Sequence, residues 1–335
     1  MHSVFTRLLL GLITVALLVI GGSWWWLNES MPLKLAPGSK VLDLEIEPGT
    51  RARTVAEVVV ASGVDVPAVF LHAWFRFSGQ ARQIKAGSYE ISSGTSPRKL
   101  LLMLVRGEEA LKSVTLVEGW NFNQVRFALQ KAEQLAPESV GLSSEMIMEK
   151  LGKPGVHPEG RFFPDTYTYA KGSSDLAVLQ RAARAMDKRI NAAWTLRSPD
   201  SPLKTSEEAL ILASIVEKET GKPEDRAQIS GVFINRLRVG MLLQTDPSVI
   251  YGMGEKFDGN LRKRDLQTDT PYNTYTRVGL PPTPIAMPGK AALLAAVKPA
   301  PTKALYFVAR GDGFSQFSSS LDEHNRAVNK YIRGK

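Results

Sequence analysis

The run Glu207 to Thr220, EEALILASIVEKET, is where this sequence could do acid–base chemistry. Leu212, Ile215 and Val216 recur at helical spacing and form one apolar stripe. Glu219 stands seven residues after Leu212 and four after Ile215, so it continues the stripe. Glu217 and Lys218 fall off it, Glu217 by about 160° at ~100° per residue. A carboxyl at the end of an apolar face loses hydration when the face packs. Desolvation disfavours the charged form and raises the pKa, and a general acid working near neutral pH needs that shift. The competing reading makes Glu219 part of the exposed final turn of an ordinary amphipathic helix. Periodicity alone favours that plainer reading, because perturbed carboxyls are a minority. On either reading the off-stripe Glu217 is expected to be solvated or in a surface ion pair.

Further along come segments suited to holding a sugar: Leu243-Gln244-Thr245-Asp246-Pro247, Tyr251-Gly252-Met253-Gly254, Pro271-Tyr272-Asn273-Thr274-Tyr275 and Gly279-Leu280-Pro281-Pro282. Amides and hydroxyls bond to sugar hydroxyls and acetamides, and flat rings cover the apolar side of a pyranose. Upstream, residues 159–167, Glu-Gly-Arg-Phe-Phe-Pro-Asp-Thr-Tyr, have the same make-up. Phe162 and Phe163 taken alone are expected in a core. Asp246 before Pro247 fits an Asx turn, and it is also the second carboxylate that a two-carboxylate glycosidase would need.

Several elements must position these groups. Thr205 and Glu208 are spaced as a capping box opening the Glu219 helix. A long helix is expected over 175–197, and a helix ends near Asn235-Arg236. Residues 240–290 show little periodicity and read as a functional loop region. A helix over 288–297 and a strand over 304–309 close the chain. In the first third, Leu42, Leu44 and Ile46 alternate with Asp43 and Glu45 as a strand. Thr54 and Glu57 are spaced as a capping box, a second helix is expected over 66–77, and a returning strand over 87–91. Ser96-Pro97 supplies an N-cap and N1 proline for a helix stopping before Gly107. A strand over 114–117 precedes a helix from Asn121, with Gln124 at the capping-box position. The strand–turn–helix pattern of 42–61 thus recurs weakly at 114–133.

The 335 residues carry 42 Lys+Arg against 33 Asp+Glu, no cysteine and four scattered histidines. That excludes disulfides, cysteine-based zinc sites and a cysteine nucleophile. No metal or cofactor is expected. Leu8 to Leu27 contains no charge, is about the length that crosses a bilayer, and ends in Trp24-Trp25-Trp26, residues that favour the lipid–water interface. Arg7 precedes it, which puts the short end in the cytoplasm and everything after residue 28 outside. The bulky exit and the length argue for an uncleaved anchor over a signal peptide. Because Arg7 is the single Lys or Arg before residue 28, nearly all of the +9 excess lies outside. It faces an anionic wall or membrane rather than nucleic acid.

Six of these segments in order, Val117-Glu118-Gly119, residues 159–167, Ala213–Thr220, Val232–Leu237, Leu243–Pro247 and Tyr272–Tyr275, closely resemble the YceG-like (MltG) family of endolytic murein transglycosylases. The resemblance implies an α+β fold: a membrane anchor over 1–27, a linker over 28–40, a LysM-like module over 41–110 and a mixed α/β catalytic domain over 111–335. It implies Glu219 as the catalytic acid, with Gln244, Asp246, Tyr272, Asn273, Tyr275, Arg161 and Asp165 as substrate-binding residues. The implied substrate is the peptidoglycan glycan strand, cut at the MurNAc–GlcNAc bond to leave 1,6-anhydro ends. The implied location is the inner membrane with the catalytic domain in the periplasm, and the implied partners are peptidoglycan synthases.

Overall fold

The computed structural model of the chain describes residues 2–35, 41–219 and 222–334, so the end of the expected linker, at 36–40, and Thr220 lie outside the described residues. The chain divides into two units, Met1–Lys112 and Ser113–Lys335.

The first unit opens with helix α1 (His2–Asn28), of which Leu10–Asn28 is long and apolar enough to cross a membrane. Residues 31–34, within the expected linker, bond to this unit. Met31 is buried and its N–H donates to Thr95 O at 3.0 Å, while Lys34 N donates to Gly63 O at 2.8 Å. Strand β1 (Val41–Ile46) pairs antiparallel with β2 (Gly87–Ser92), Leu44 opposite Tyr89. The alternation does what the sequence suggested: Leu42, Leu44 and Ile46 all face the core. Between the strands run α2 (Ala52–Ala61) and α3 (Ala68–Phe77), and α4 (Pro97–Arg106) follows. Ser96 accepts Lys99 N–H, and Gly107 takes the left-handed conformation at φ 70°, as Ser-Pro and Gly at the two ends predict. The Thr54–Glu57 box does not form. Helix α2 begins earlier, capped by no side chain at Arg51, and Glu57 instead pairs with Arg53 at 3.2 Å.

The second unit holds two cores. One gathers around β3 (Leu111–Thr115), which pairs with β4 (Thr166–Ala170), and around α5 (Phe122–Lys131), α6 (Ser144–Lys150) and α7 (Asp175–Trp194). The expected Asn121–Gln124 capping box opens α5. The other core is built on α8 (Ser206–Glu219), against which α7, α9 (Pro223–Arg238), α10 (Asp246–Met253) and α12 (Lys290–Val297) pack. Residues 209–216 of α8 are all buried, so this helix is enclosed on every side and has no solvent face over those turns. A short α11 (Lys263–Gln267), an antiparallel pair β5 (Tyr306–Ala309) and β6 (Ser315–Ser318), and α13 (Leu321–Val328) complete the unit. The region expected to be loop therefore contains α10 and α11, and Asp246 is the first residue of a helix rather than the head of an isolated turn.

Candidate active site

Glu219 is the last residue of α8 and is half-buried. The Thr205–Glu208 cap starts that helix, with Thr205 Oγ1 accepting Glu208 N–H at 3.2 Å. At its far end Thr245, the residue that precedes α10, donates its hydroxyl to Glu219 Oε1. Burial pushes the Glu219 carboxyl up to about 7; the Thr245 bond opposes this, the nearby Asp246 charge adds to it, and Arg236 opposes it. The carboxyl is thus available as acid and as base near neutral pH.

Thr245 is held from both sides. It is 1% exposed, its N–H donates to Thr274 Oγ1 at 3.0 Å, and Ser248 Oγ shares that hydroxyl at 2.9 Å. Gln244 N donates to Thr274 O at 3.0 Å. Gln244 itself sits at φ 50°, a left-handed conformation that costs a side-chain-bearing residue roughly 1–2 kcal/mol, beside the group that touches Glu219. Arg236 is buried and fixes this loop by donating to Leu242 O, Leu243 O and Leu305 O at 3.1, 2.9 and 2.7 Å. Its charge therefore stands near Glu219 without a carboxylate partner of its own among the described residues.

The remaining expected residues divide. Tyr275 donates its hydroxyl to Asp246 Oδ1 at 2.5 Å, so these two cleft residues are brought together and the carboxylate is already engaged. Burial, then Asp246, push the tyrosine far above its ordinary pKa. Tyr272 bonds Thr283 Oγ1 at 2.9 Å and meets Tyr251 edge-on, 4.9 Å between centroids. Asn273 is fully buried: its amide N–H₂ donates to Asp265 O, Leu266 O and Thr268 O, and its oxygen accepts Tyr275 N–H. It is a clamp within the loop and offers a ligand nothing. Arg161 pairs with Glu207 at 2.6 Å at the opposite end of α8, and Asp165 is exposed and accepts Thr166 N–H. Neither lines the cavity that Lys218 and Tyr272 border.

That cavity, about 810 Å³, lies between α5 and α10 and is lined by Asn121, Glu159, Lys218, Pro247, Tyr251 and Tyr272 among others. Its lining includes Lys218 and Pro247, the chain neighbours of Glu219 and Asp246, but neither of those two carboxyls, and of the expected substrate-binding residues it includes Tyr272 alone. Glu159, 3% exposed, accepts Phe122 N–H with both oxygens, at 3.1 and 3.2 Å, and the Tyr251 hydroxyl at 3.1 Å. Burial raises it to about 7 despite these bonds. Sequence reasoning placed Thr245, Tyr251 and Glu159 in segments suited to a sugar and Arg236 in a segment shared with the family, but gave none of the four an individual role. The available signal was Glu159-Gly160: Gly160 is at φ 77°, and an added Cβ would meet Pro284 at 2.5 Å, so the turn that aims Glu159 inward needs glycine.

Glu217 also departs from expectation. Its side chain is only 7% exposed, accepts Gly289 N–H at 2.9 Å and stands 3.7 Å from Arg226. Burial, opposed by the Gly289 bond and Arg226, raises its pKa. A helix enclosed on all sides gives an off-stripe acid no solvent, and Glu217 instead ties α8 to the start of α12 and to α9.

The profile of the YceG-like family matches residues 44–330, and the chain belongs to that family. It is 31% identical to the endolytic murein transglycosylase of Bacillus subtilis over 95% of this chain and 92% of that protein. It is 26% identical to the endolytic murein transglycosylase of Streptococcus pneumoniae over 97% of this chain, and it spans 65% of that longer protein. Among solved structures it resembles a yceG-like protein of Listeria monocytogenes, with TM-score 0.56 and 28% identity over 86% of this chain and 98% of that one.

Proposed function

We propose that this chain is an endolytic lytic transglycosylase that cuts the MurNAc–GlcNAc β-1,4 bond inside nascent peptidoglycan strands, leaves 1,6-anhydro-MurNAc ends and so terminates elongation. The observation that carries this reading is Glu219: a carboxyl raised to about 7 and bonded by Thr245, whose chain neighbour Lys218 lines a cavity of amides and tyrosines.

Thr245 occupies Oε1 and leaves Oε2 for the reacting proton. Glu219 in its acid form donates to the glycosidic oxygen as the C1–O bond breaks, and the bond pair stays on the departing oxygen. The carboxylate then takes the proton from the C6 hydroxyl of the same MurNAc, whose oxygen bonds C1 and closes the anhydro ring. No water is consumed, so no second carboxylate is required, in contrast to ordinary glycosidases. On this reading Asp246, which accepts the Tyr275 hydroxyl, orients the strand and does not attack. The buried Arg236 favours the carboxylate left after the first proton transfer.

The same reading makes α1 a retained inner-membrane anchor, with everything after residue 28 in the periplasm. It makes residues 41–110 a LysM-like glycan-holding module and peptidoglycan synthases the partners that supply new strands. Release of soluble fragments from purified sacculi tests it. Glu219→Gln keeps size and hydrogen bonding but removes the transferable proton, and should lose about 10²–10⁴-fold in rate. Undiminished release by that variant would refute the assignment.

A further inference from the structure

Helix α3 carries its apolar residues on two opposite faces. At about 100° per residue, Leu71 and Phe75 point one way, and both are buried. Val69, Phe70 and Phe77 point the other way and are 66, 55 and 85% exposed. The helix has no acidic residue, and the exposed Arg76 flanks the outer face. Bare aromatic and aliphatic side chains grouped on one helix face mark an interaction surface.

What covers this face follows from what it touches. Phe70 packs edge-on against Trp26, 6.1 Å between centroids. Trp26 belongs to α1 and itself packs on the first unit's core. Helix α1 also contacts α4, and Met31, only three residues past the helix end, is buried in the same core. The end of α1 is therefore fixed to this unit. Trp24 and Trp25 beside it remain 66 and 62% exposed. If Leu10–Asn28 spans a bilayer, its tryptophan end lies at the lipid–water interface, and Phe70 in contact with Trp26 lies at that level too.

We propose that the outer face of α3 is seated in the interface of the outer leaflet, with Val69, Phe70 and Phe77 in the headgroup–acyl boundary and Arg76 reaching to the headgroups. An interfacial helix with aromatic residues on one side and a cation at its margin binds lipid in this way. The inference rests on the reading of α1 as a membrane anchor. It adds a second attachment, which holds the first unit flat on the membrane instead of hanging from a single helix.

The natural chain contains no cysteine, so single nitroxide labels can be placed on the full chain in nanodiscs. Val69→Cys and Phe77→Cys replace exposed side chains, Arg53→Cys marks the exposed part of α2, and Leu18→Cys reports on α1. Labels at 69 and 77 should collide with oxygen and lose collision with a water-soluble nickel chelate, as the label at 18 does, while the label at 53 stays open to nickel. Nickel access at 69 and 77 with lipid-like behaviour at 18 would overturn the docking and leave the anchor standing. Nickel access at 18 would overturn the anchor, and the docking with it. Labels at 69 and 77 shielded from both reagents would mean that protein covers the face, which also overturns the proposal. Unchanged thermal melting of each variant controls for folding.

Discussion

Replacing Glu219 by Gln should kill turnover and, at the same time, stabilise the fold in a pH-dependent way. In the folded chain this carboxyl is held up at about 7, against an ordinary 4.5. The folded state therefore keeps the proton longer than the unfolded chain does. Stability attributable to this group is fully present below about pH 4.5 and is lost as pH rises to about 7. At 1.36 kcal/mol per pKa unit the full loss is about 3 kcal/mol. Glutamine is neutral throughout and can still accept the Thr245 hydroxyl, so it escapes the loss. Glu159 and Glu217 titrate in both proteins and cancel from the comparison. The melting temperature of Glu219→Gln relative to the natural protein should thus rise between pH 4.5 and pH 8 by about 6–12 °C for a unit of this size. Calorimetry of the two full chains at both pH values, with fragment release from sacculi measured alongside, reads both effects. A gap that does not grow with pH would mean that the Glu219 carboxyl is not enclosed as described, and the acid role argued from its pKa would lose its basis.

Other consequences are separable. Glu217→Gln deprives Arg226, whose side chain is 12% exposed, of its anionic partner. It should lower stability by about 1–3 kcal/mol while leaving turnover per folded molecule within a few-fold, read by denaturant melts and by rate. An unaltered melt would contradict the buried ion pair with Arg226 of α9. For the natural protein, kcat/KM should fall tenfold per unit above about pH 7, because the free carboxyl must carry the proton; a rate still rising at pH 9 would exclude Glu219 as the acid. Thr245→Val removes a bond that favours the ionised form, so the falling limb should move to higher pH, whereas a purely structural Thr245 would leave its position unchanged. Gly160→Ala puts a methyl 2.5 Å from the Pro284 ring at φ 77°, and should cost about 2–4 kcal/mol through strain and overpacking together, visible as a lowered denaturant midpoint.

The parts of the fold legible in the sequence were those fixed locally. The Ser96-Pro97 start with Gly107 stop, the Asn121–Gln124 box and the alternation of 42–46 depend on neighbours within a few residues, and each appears as expected. Thr54–Glu57 shows the limit, since a box is also a pair of residues that can sit one turn inside a helix. The stripe made Glu219 a candidate, which the family resemblance and not periodicity favoured, and the environments of its neighbours were not legible. Periodicity reports one helix face and cannot tell that α8 is enclosed by four helices, so Glu217 was expected in water and is found buried. Asn273 carries the chemistry of a ligand-binding amide and spends all of it on three carbonyls and an N–H, a use that depends on how residues 265–275 fold back. Thr245 and Tyr251 lie 26 and 32 residues after Glu219 in a stretch without periodicity, Arg236 lies 17 after it in the next helix, and Glu159 lies 60 residues before it. Only tertiary folding brings Thr245 and Arg236 to Glu219, and Tyr251 to Glu159.

On the proposed mechanism one carboxyl, Glu219, breaks the glycosidic bond without water. The most direct test is mass spectrometry of the products that the full-length protein releases from purified peptidoglycan. The expected products are strands cut internally and ending in 1,6-anhydro-MurNAc, one water lighter than a hydrolysed end. Reducing MurNAc ends as the main product would contradict it and give Asp246 the part of nucleophile or base.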